Sequence, residues 1–186
     1  IPANVHIIMT IQIIILLISI CLSANAQNES LFEKWDSFFS EITFNGKIDY
    51  QKAIALDASL KDIEQDMKLT KLSGRSKIYQ KAFWINAYNY IVINQIVASY
   101  PISTVQEIPG FFSQKHSVAG REVSLDEMER EILWQLDPDP RIHFALICGA
   151  NSCPQALAHV YHPDHLDAQL TAQCRKTINR SPHISV

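Results

Sequence analysis

The stretch KIYQKAFWINAYNYIVINQIVASYP, residues 77–101, decides the fold of this chain. Apolar side chains occupy nearly every face of a helix drawn through it, which predicts a central helix that is buried all round. We expect this helix to end at Tyr100, because Pro101 disfavours helical backbone in the residue before it. Asn86 and Asn89 fall on one face of the helix. Buried amides need hydrogen-bond partners, so both should contact neighbouring segments.

Two amphipathic helices are predicted before the central one. Apolar residues recur at helical spacing over residues 30–43 and again over residues 53–67. These positions are Leu31, Phe32, Trp35, Phe38, Phe39 and Ile42 in the first helix, and Ala53, Leu56, Leu60, Ile63 and Met67 in the second. Between the two helices, the sequence FNGKIDY predicts a turn followed by a short extended piece.

The sequence after the central helix predicts a hairpin, a strand and two more helices. A turn at Ala119-Gly120 favours a hairpin, and Ser124 with Glu127 forms a capping box that opens a helix over residues 125–136. RIHFALIC, residues 141–148, is typical of a short apolar strand, and SCPQAL predicts a helical turn. Pro163 suits the first position of a last helix over residues 163–179. The sequence therefore predicts an α+β fold, a mostly helical single domain with a small sheet.

The first 26 residues have the pattern of a secretory signal peptide preceded by upstream residues. The sequence from Met9 contains a short apolar run, Ile13 to Leu22, and ends in the small-x-small pattern Ala24-Asn25-Ala26. The run is short for a bilayer span, so we expect cleavage after Ala26 and no stable transmembrane segment in the mature chain. An N-terminal membrane anchor is the less favoured alternative. The predicted location is periplasmic or extracellular, where disulfides form.

Composition and motifs exclude several functions. The net charge of -3 provides no basic field for binding nucleic acid. The chain has neither a phosphate-cradling glycine loop nor a Gly-x-Ser-x-Gly elbow, so no cofactor is predicted. A substrate or binding partner stays unidentified at this stage.

Several linked motifs resemble the family called domain of unknown function 547. They are AFWINAYN, YPISTVQEIPGFF, VSLDEMERE and DPRIHFALICGANSCP, supported by the weaker GKIDYQKAIALDASL and HLDAQLTAQCRKTIN. The resemblance covers about residues 46–180 and implies a family domain over residues 46–186, which the predicted N-terminal helix, residues 27–45, precedes. It implies no established reaction. Many relatives have a histidine where this chain has Arg130, and they usually continue further, so we expect the domain to be C-terminally incomplete.

The residues that could carry chemistry surround the turn after RIHFALIC. Cys153 precedes Pro154, and a helix beginning there would favour the thiolate through its free N–H groups. His143 could serve as its base, and Glu129 could orient His143 as the third member does in catalytic triads. Asn86 or Asn89 could orient the same histidine or hold an oxyanion. This set predicts a thiol site, with the family motifs contributing as much as the spacing.

Other interpretations of these residues stay open. Cys148 and Cys153 could form a disulfide, since the intervening loop is short and flexible and the compartment favours oxidation. Zinc bound by Cys148, Cys153 and His143 is not excluded, although the usual spacing between cysteine ligands is absent. His143, Asn86 and Asn89 could instead be polar residues that hold the fold together. Cys174 lies on an apolar helical stripe, which predicts core packing.

Two functions follow from these alternatives. The first is an exported thiol-dependent hydrolase or acyl transferase that uses Cys153. The second is a non-catalytic extracytoplasmic binding or structural module. A thiol, an imidazole and a carboxyl or amide that converge in a cleft would favour the enzyme.

Overall fold

The computed structural model of the protein describes residues 31–149 and 154–180. Helices dominate this part of the chain and its two sheets are small antiparallel hairpins, which confirms the predicted α+β class. The helices are α1 (31–42), α2 (Tyr50–Ala55), α3 (Asp57–Leu69), α4 (Lys77–Ser99), α5 (Leu125–Glu127), α6 (Trp134–Leu136) and α7 (Leu166–Arg180), and a π-helical segment (Met128–Leu133) joins α5 to α6. The strands are β1 (Thr43–Phe44), β2 (Lys47–Ile48), β3 (His116–Val118) and β4 (Arg121–Val123). Three 3-10 helices cover Val105–Glu107, Pro140–Phe144 and Pro163–His165.

Helix α4 is the buried centre of the fold, as predicted. Every residue from 81 to 93 is buried, so other segments cover this helix on all sides. The helix begins after Ser76, whose hydroxyl accepts a hydrogen bond from the Tyr79 N–H, and it ends just before Tyr100. Trp35 of α1 packs against Phe83 with ring centroids 5.5 Å apart, which joins the first amphipathic helix to the same core.

The helix predicted over residues 53–67 is two helices instead. Asp49 caps the start of α2, where its Oδ1 accepts a hydrogen bond from the Lys52 N–H at 2.9 Å. The backbone then leaves helical geometry at Leu56, and α3 begins at the next residue. The apolar spacing correctly identified buried positions of α2 and α3. It could not reveal the break in the helix, because the residues on both sides of the break face the same core.

The predicted hairpin at Ala119-Gly120 is present, formed by β3 and β4. Both turn residues have positive φ angles, 50° and 71°. Their N–H groups donate to the Met67 and Lys68 carbonyls at 2.9 and 3.1 Å, which attaches the hairpin to the end of α3. The predicted capping box follows, since Ser124 and Glu127 each accept the other's backbone N–H.

The strand predicted over residues 141–148 is wrong. Residues Pro140–Phe144 form a 3-10 helix, and the rest of the described segment is turn and irregular chain. Asp139 caps this helix by accepting the Arg141 N–H at 3.0 Å, with Pro140 at the first position. A short apolar run is compatible with a strand or a buried turn, and here Ile142 and Leu146 are buried without any strand partner.

The helical turn predicted around Pro154 is also wrong for its described part. Residues 154–157 have no regular secondary structure, so no helix begins at Pro154. The last helix is present, but Pro163 opens a 3-10 turn and α7 starts only at Leu166. The proposed helical origin of a reactive thiol at Cys153 therefore has no support from this segment.

Some sequence predictions fall outside the described residues. They are the signal peptide over residues 1–26, Cys153 itself and the C-terminal end of the chain. Within residues 31–149 and 154–180, no helix is long and apolar enough to cross a membrane.

Candidate functional site

The Glu129 and His143 side chains lie together at the protein surface. His143 Nδ1 is 3.0 Å from Glu129 Oε1, which is hydrogen-bond distance. The imidazole is 76% exposed and the carboxylate 33% exposed. A histidine that donates from Nδ1 to a carboxylate keeps its Nε2 as a proton acceptor. His143 Nε2 has no hydrogen-bond partner among the described residues, so it is available to a second group.

Two irregular helices bring this pair together. Glu129 lies in the π-helical segment, a wide turn of a kind that is frequent at functional sites. His143 lies in the 3-10 helix Pro140–Phe144, which places it on the solvent side while Ile142 enters the core. A strand at this position would have alternated side chains between two faces, whereas the tight helical turn presents His143 toward the neighbouring helix.

The buried Tyr88 of α4 lies within electrostatic range of this carboxylate. Burial raises the pKa of the Tyr88 phenol well above its ordinary value, and the charges of Glu129 and Asp126 raise it further. The phenol is therefore neutral at any physiological pH. Tyr88 therefore supplies no phenolate base to the Glu129–His143 pair.

Asn86 and Asn89 both hold other segments against α4. The Asn89 Nδ2 donates to the Ala145 carbonyl at 2.9 Å, and its Oδ1 accepts the Ile147 N–H at 2.8 Å. Asn86 makes the same two-bond arrangement with Tyr161. Neither amide contacts His143, so neither orients the imidazole. Asn89 anchors the chain that runs from His143 to Cys148.

The described cysteines have different chemical states. Cys148 is disulfide-bonded, and its partner lies outside the described residues. Cys174 is a half-buried free thiol on α7. Because Cys153 is not described, its pairing with Cys148 and its role as a nucleophile stay predictions. In the disulfide-bonded form Cys148 cannot itself be a nucleophile.

The described part of the chain contains no complete set of metal ligands. No group of three histidine, cysteine or acidic side chains is arranged there to hold a metal ion. The zinc set considered from the sequence includes Cys153, which is outside that part.

A comparison with protein-family models finds a match to the family described as a protein of unknown function, DUF547, over residues 72–178. The match covers more than half of the chain. The chain belongs to the DUF547 family. The matched segment contains α4, the Glu129–His143 pair and both asparagine anchors, while a domain start at residue 46 stays a prediction. No curated protein and no solved structure matches the chain.

The DUF547 domain also contains an ion cluster around the buried side chains of Lys81 and Asp139, which the sequence analysis missed. Asp139 accepts hydrogen bonds from Lys81 Nζ at 2.9 Å and from the Arg141 guanidinium at 3.0 and 2.9 Å. The Arg141 guanidinium also donates a hydrogen bond to Asp167 Oδ1 of α7 at 2.8 Å. Lys81 forms a second ion pair with Asp137. The available sequence signal was Lys81, a charged residue in an otherwise apolar helix, since a buried charge requires a partner.

This cluster positions the turn that carries His143. The Arg141 guanidinium and Lys81 hold the pKa of the Asp139 carboxyl well below its usual range, so Asp139 stays charged. The same carboxylate caps the 3-10 helix through the Arg141 N–H. The cluster therefore fixes the start of Pro140–Phe144 to α4 and α7, and with it the location of the imidazole.

Proposed function

We propose that this DUF547 protein is an exported thiol-dependent hydrolase or acyl transferase. In this proposal His143 is the general base and Glu129 is the positioning residue that orients it. Cys153 is the nucleophile. The observation that carries the proposal is the 3.0 Å contact between His143 Nδ1 and Glu129 Oε1, which leaves Nε2 open to solvent.

The chemistry follows from that orientation. His143 Nε2 takes the proton of the Cys153 thiol, and the thiolate attacks a substrate carbonyl. The leaving group departs with the proton that the imidazolium returns, which leaves a thioester on Cys153. Water or another acceptor, deprotonated by His143, then attacks the thioester and releases the thiol. Glu129 stabilises the imidazolium in both halves of the reaction.

The disulfide at Cys148 sets a condition on this mechanism. If its partner is Cys153, the nucleophile is blocked until the bond is reduced. Cys153 reaches the thiolate state only in the reduced protein, because a disulfide sulfur has no proton to lose. Any test of the proposal therefore compares the protein with and without reductant.

Alkylation by iodoacetamide near neutral pH, followed by peptide mass spectrometry, tests the proposal. We expect Cys153 in the reduced protein to react at least tenfold faster than Cys174, because a base beside a thiol raises its thiolate fraction. His143→Ala should remove most of this advantage and Glu129→Gln part of it. His165→Ala, which removes an exposed histidine of another segment, is the matched control and should have no effect.

A result against the enzyme is equally clear. If reduced Cys153 reacts at the rate of Cys174 and His143→Ala changes nothing, the imidazole does not act on the thiol. Hydrolysis of p-nitrophenyl acetate by the reduced protein gives a second readout. We expect an initial burst that Cys153→Ser abolishes.

A non-catalytic extracytoplasmic binding or structural module is the second candidate. The disulfide at Cys148 and the purely anchoring contacts of Asn86 and Asn89 favour it. In that case the disulfide is a structural crosslink, and its reduction lowers the melting temperature without creating a reactive thiol. The labelling experiment therefore distinguishes the two candidates.

A further inference from the structure

A separate open cleft lies away from the disulfide segment. It has a volume of about 780 Å³ and is formed by the end of α3 and the following loop, by α4, by the β3–β4 turn and by the helical run from 131 to 136. Volumes of this order hold small-molecule ligands. None of Glu129, His143, Asn86 and Asn89 lines the cleft.

Part of the cleft lining is apolar. Its apolar lining consists of Leu69, Leu72, Trp84, Ala119, Ile132 and Leu136. Leu69 is 58% exposed, so part of this apolar lining is open to solvent. Covering such surface with an apolar group would be favourable by roughly 25 cal/mol per Å².

Trp84 contributes an aromatic side chain to the cleft. The side chain is only 2% exposed, yet it lines the cleft. An aromatic ring of this kind can pack against the apolar body of a ligand.

The rim of the cleft is positively charged. Its charged lining residues are Lys68, Lys71, Arg121 and Glu131. Lys68 is paired with Glu64 at 2.8 Å. Lys71 and Arg121 both line the cleft and have no ion-pair partner in the described part of the chain, so both cations are free to face a ligand.

We propose that this cleft binds a small hydrophobic carboxylate. The apolar body of the ligand would lie against Leu72, Trp84 and Leu136. The carboxylate would be bound by Lys71 and Arg121. This site is distinct from the proposed thiol site and does not depend on the function proposed for it.

Titration calorimetry of the full chain with 1-naphthoate tests the proposal, with 1-naphthylmethylamine as the probe of equal shape and opposite charge. We expect saturable binding of the carboxylate with one ligand per chain and at least tenfold weaker binding of the amine. Lys71→Glu and Arg121→Glu should each weaken naphthoate binding by about tenfold, because like charges repel at close range. Both residues are exposed, so neither change threatens the core.

Lys47→Glu is the matched control, because Lys47 is an exposed lysine of β2 outside the cleft. Its naphthoate affinity should equal that of the unmodified protein. Absence of saturable binding would overturn the proposal, as would equal affinity for the two probes. Equal binding by the charge-reversal variants and the control would also overturn it. Sedimentation at rising protein concentration is a further test. If the protein forms a dimer that no longer binds naphthoate, the cleft is a contact surface for a second copy of the chain, and the proposal is overturned.

Discussion

The Asn86 carboxamide pairs with both backbone groups of Tyr161. Its Nδ2 donates to the Tyr161 carbonyl at 2.8 Å, and its Oδ1 accepts the Tyr161 N–H at 2.9 Å. Asn86 is fully buried, so both bonds form away from water. One side chain of α4 thereby replaces the strand or helix partner that the irregular chain around Tyr161 lacks.

This pairing predicts a large effect of Asn86→Asp. A carboxylate cannot donate to the Tyr161 carbonyl, and it places a charge in a buried site. We expect the free energy of unfolding to fall by about 2–4 kcal/mol at neutral pH, measured by urea denaturation. Asn94→Asp on the same helix is the control. Asn94 is half-buried and its side chain makes no hydrogen bond among the described residues, so its change should cost less than about 0.5 kcal/mol. Equal losses in the two variants would contradict the structural role of Asn86.

The Asp139 cluster predicts a specific loss of stability in acid. Asp139 has a folded-state pKa below its ordinary 3.8, because Arg141 and Lys81 stabilise the charged form. As the pH falls, the unfolded chain therefore takes up a proton before the folded chain does. The stability contributed by this carboxylate is complete above about pH 5 and declines as the pH falls below about 4.

Asp139→Asn should remove that part of the pH dependence. We expect the variant to be less stable than the parent at pH 7 and to lose less stability between pH 5 and pH 3. Urea unfolding across this range measures both effects. Glu33→Gln, at an exposed position with no ion pair among the described residues, should leave the pH profile unchanged. The outcome against this prediction is an Asp139→Asn variant whose free energy of unfolding is lower at every pH by the same amount. Its loss of stability between pH 5 and pH 3 would then equal that of the parent, and Asp139 would not be the titrating group.

Gly149 predicts a packing constraint on the segment that leads to Cys153. A Cβ at this position would lie 2.5 Å from Val105 Cγ1 and 3.1 Å from Ile96 Cδ1, and the φ angle is +74°. Gly149→Ala should therefore lower stability through both backbone strain and overpacking, by about 2–4 kcal/mol in total.

Gly74→Ala separates those two contributions. Gly74 has a similar φ of +79°, but a Cβ there would meet nothing within 4 Å. Its cost should be about 1 kcal/mol, from backbone strain alone. Thermal unfolding of both variants gives the comparison, and melting temperatures that fall equally would mean that Val105 and Ile96 adjust without cost.

Much of the fold could be predicted because its signals are local. The all-round apolar character of residues 77–99, the Ala119-Gly120 turn and the Ser124–Glu127 capping box each lie within one short segment. Their backbone conformations depend mainly on neighbouring residues. The fold class followed from the number and spacing of such segments.

The site was predictable only in part. Glu129 and His143 were selected as candidates from their chemistry, and the structure places them in contact. The anchoring contacts of Asn86 and Asn89 were among the alternatives considered. Their precise partners, Tyr161 and the Ala145–Ile147 segment, were not predictable, because hydrogen bonds across 56 to 75 residues leave no periodic pattern.

The sequence by itself determined the buried helix, its asparagine face, the hairpin turn and the DUF547 resemblance. Only the tertiary structure decided that residues 140–144 form a 3-10 helix, because the apolar run could be buried as a strand or as a turn and the Asp139 cluster selects the turn. It also decided that Lys71, Arg121 and Trp84 line one cleft. A cleft arises from the relative placement of distant helices, and that placement depends on the packing of the whole core.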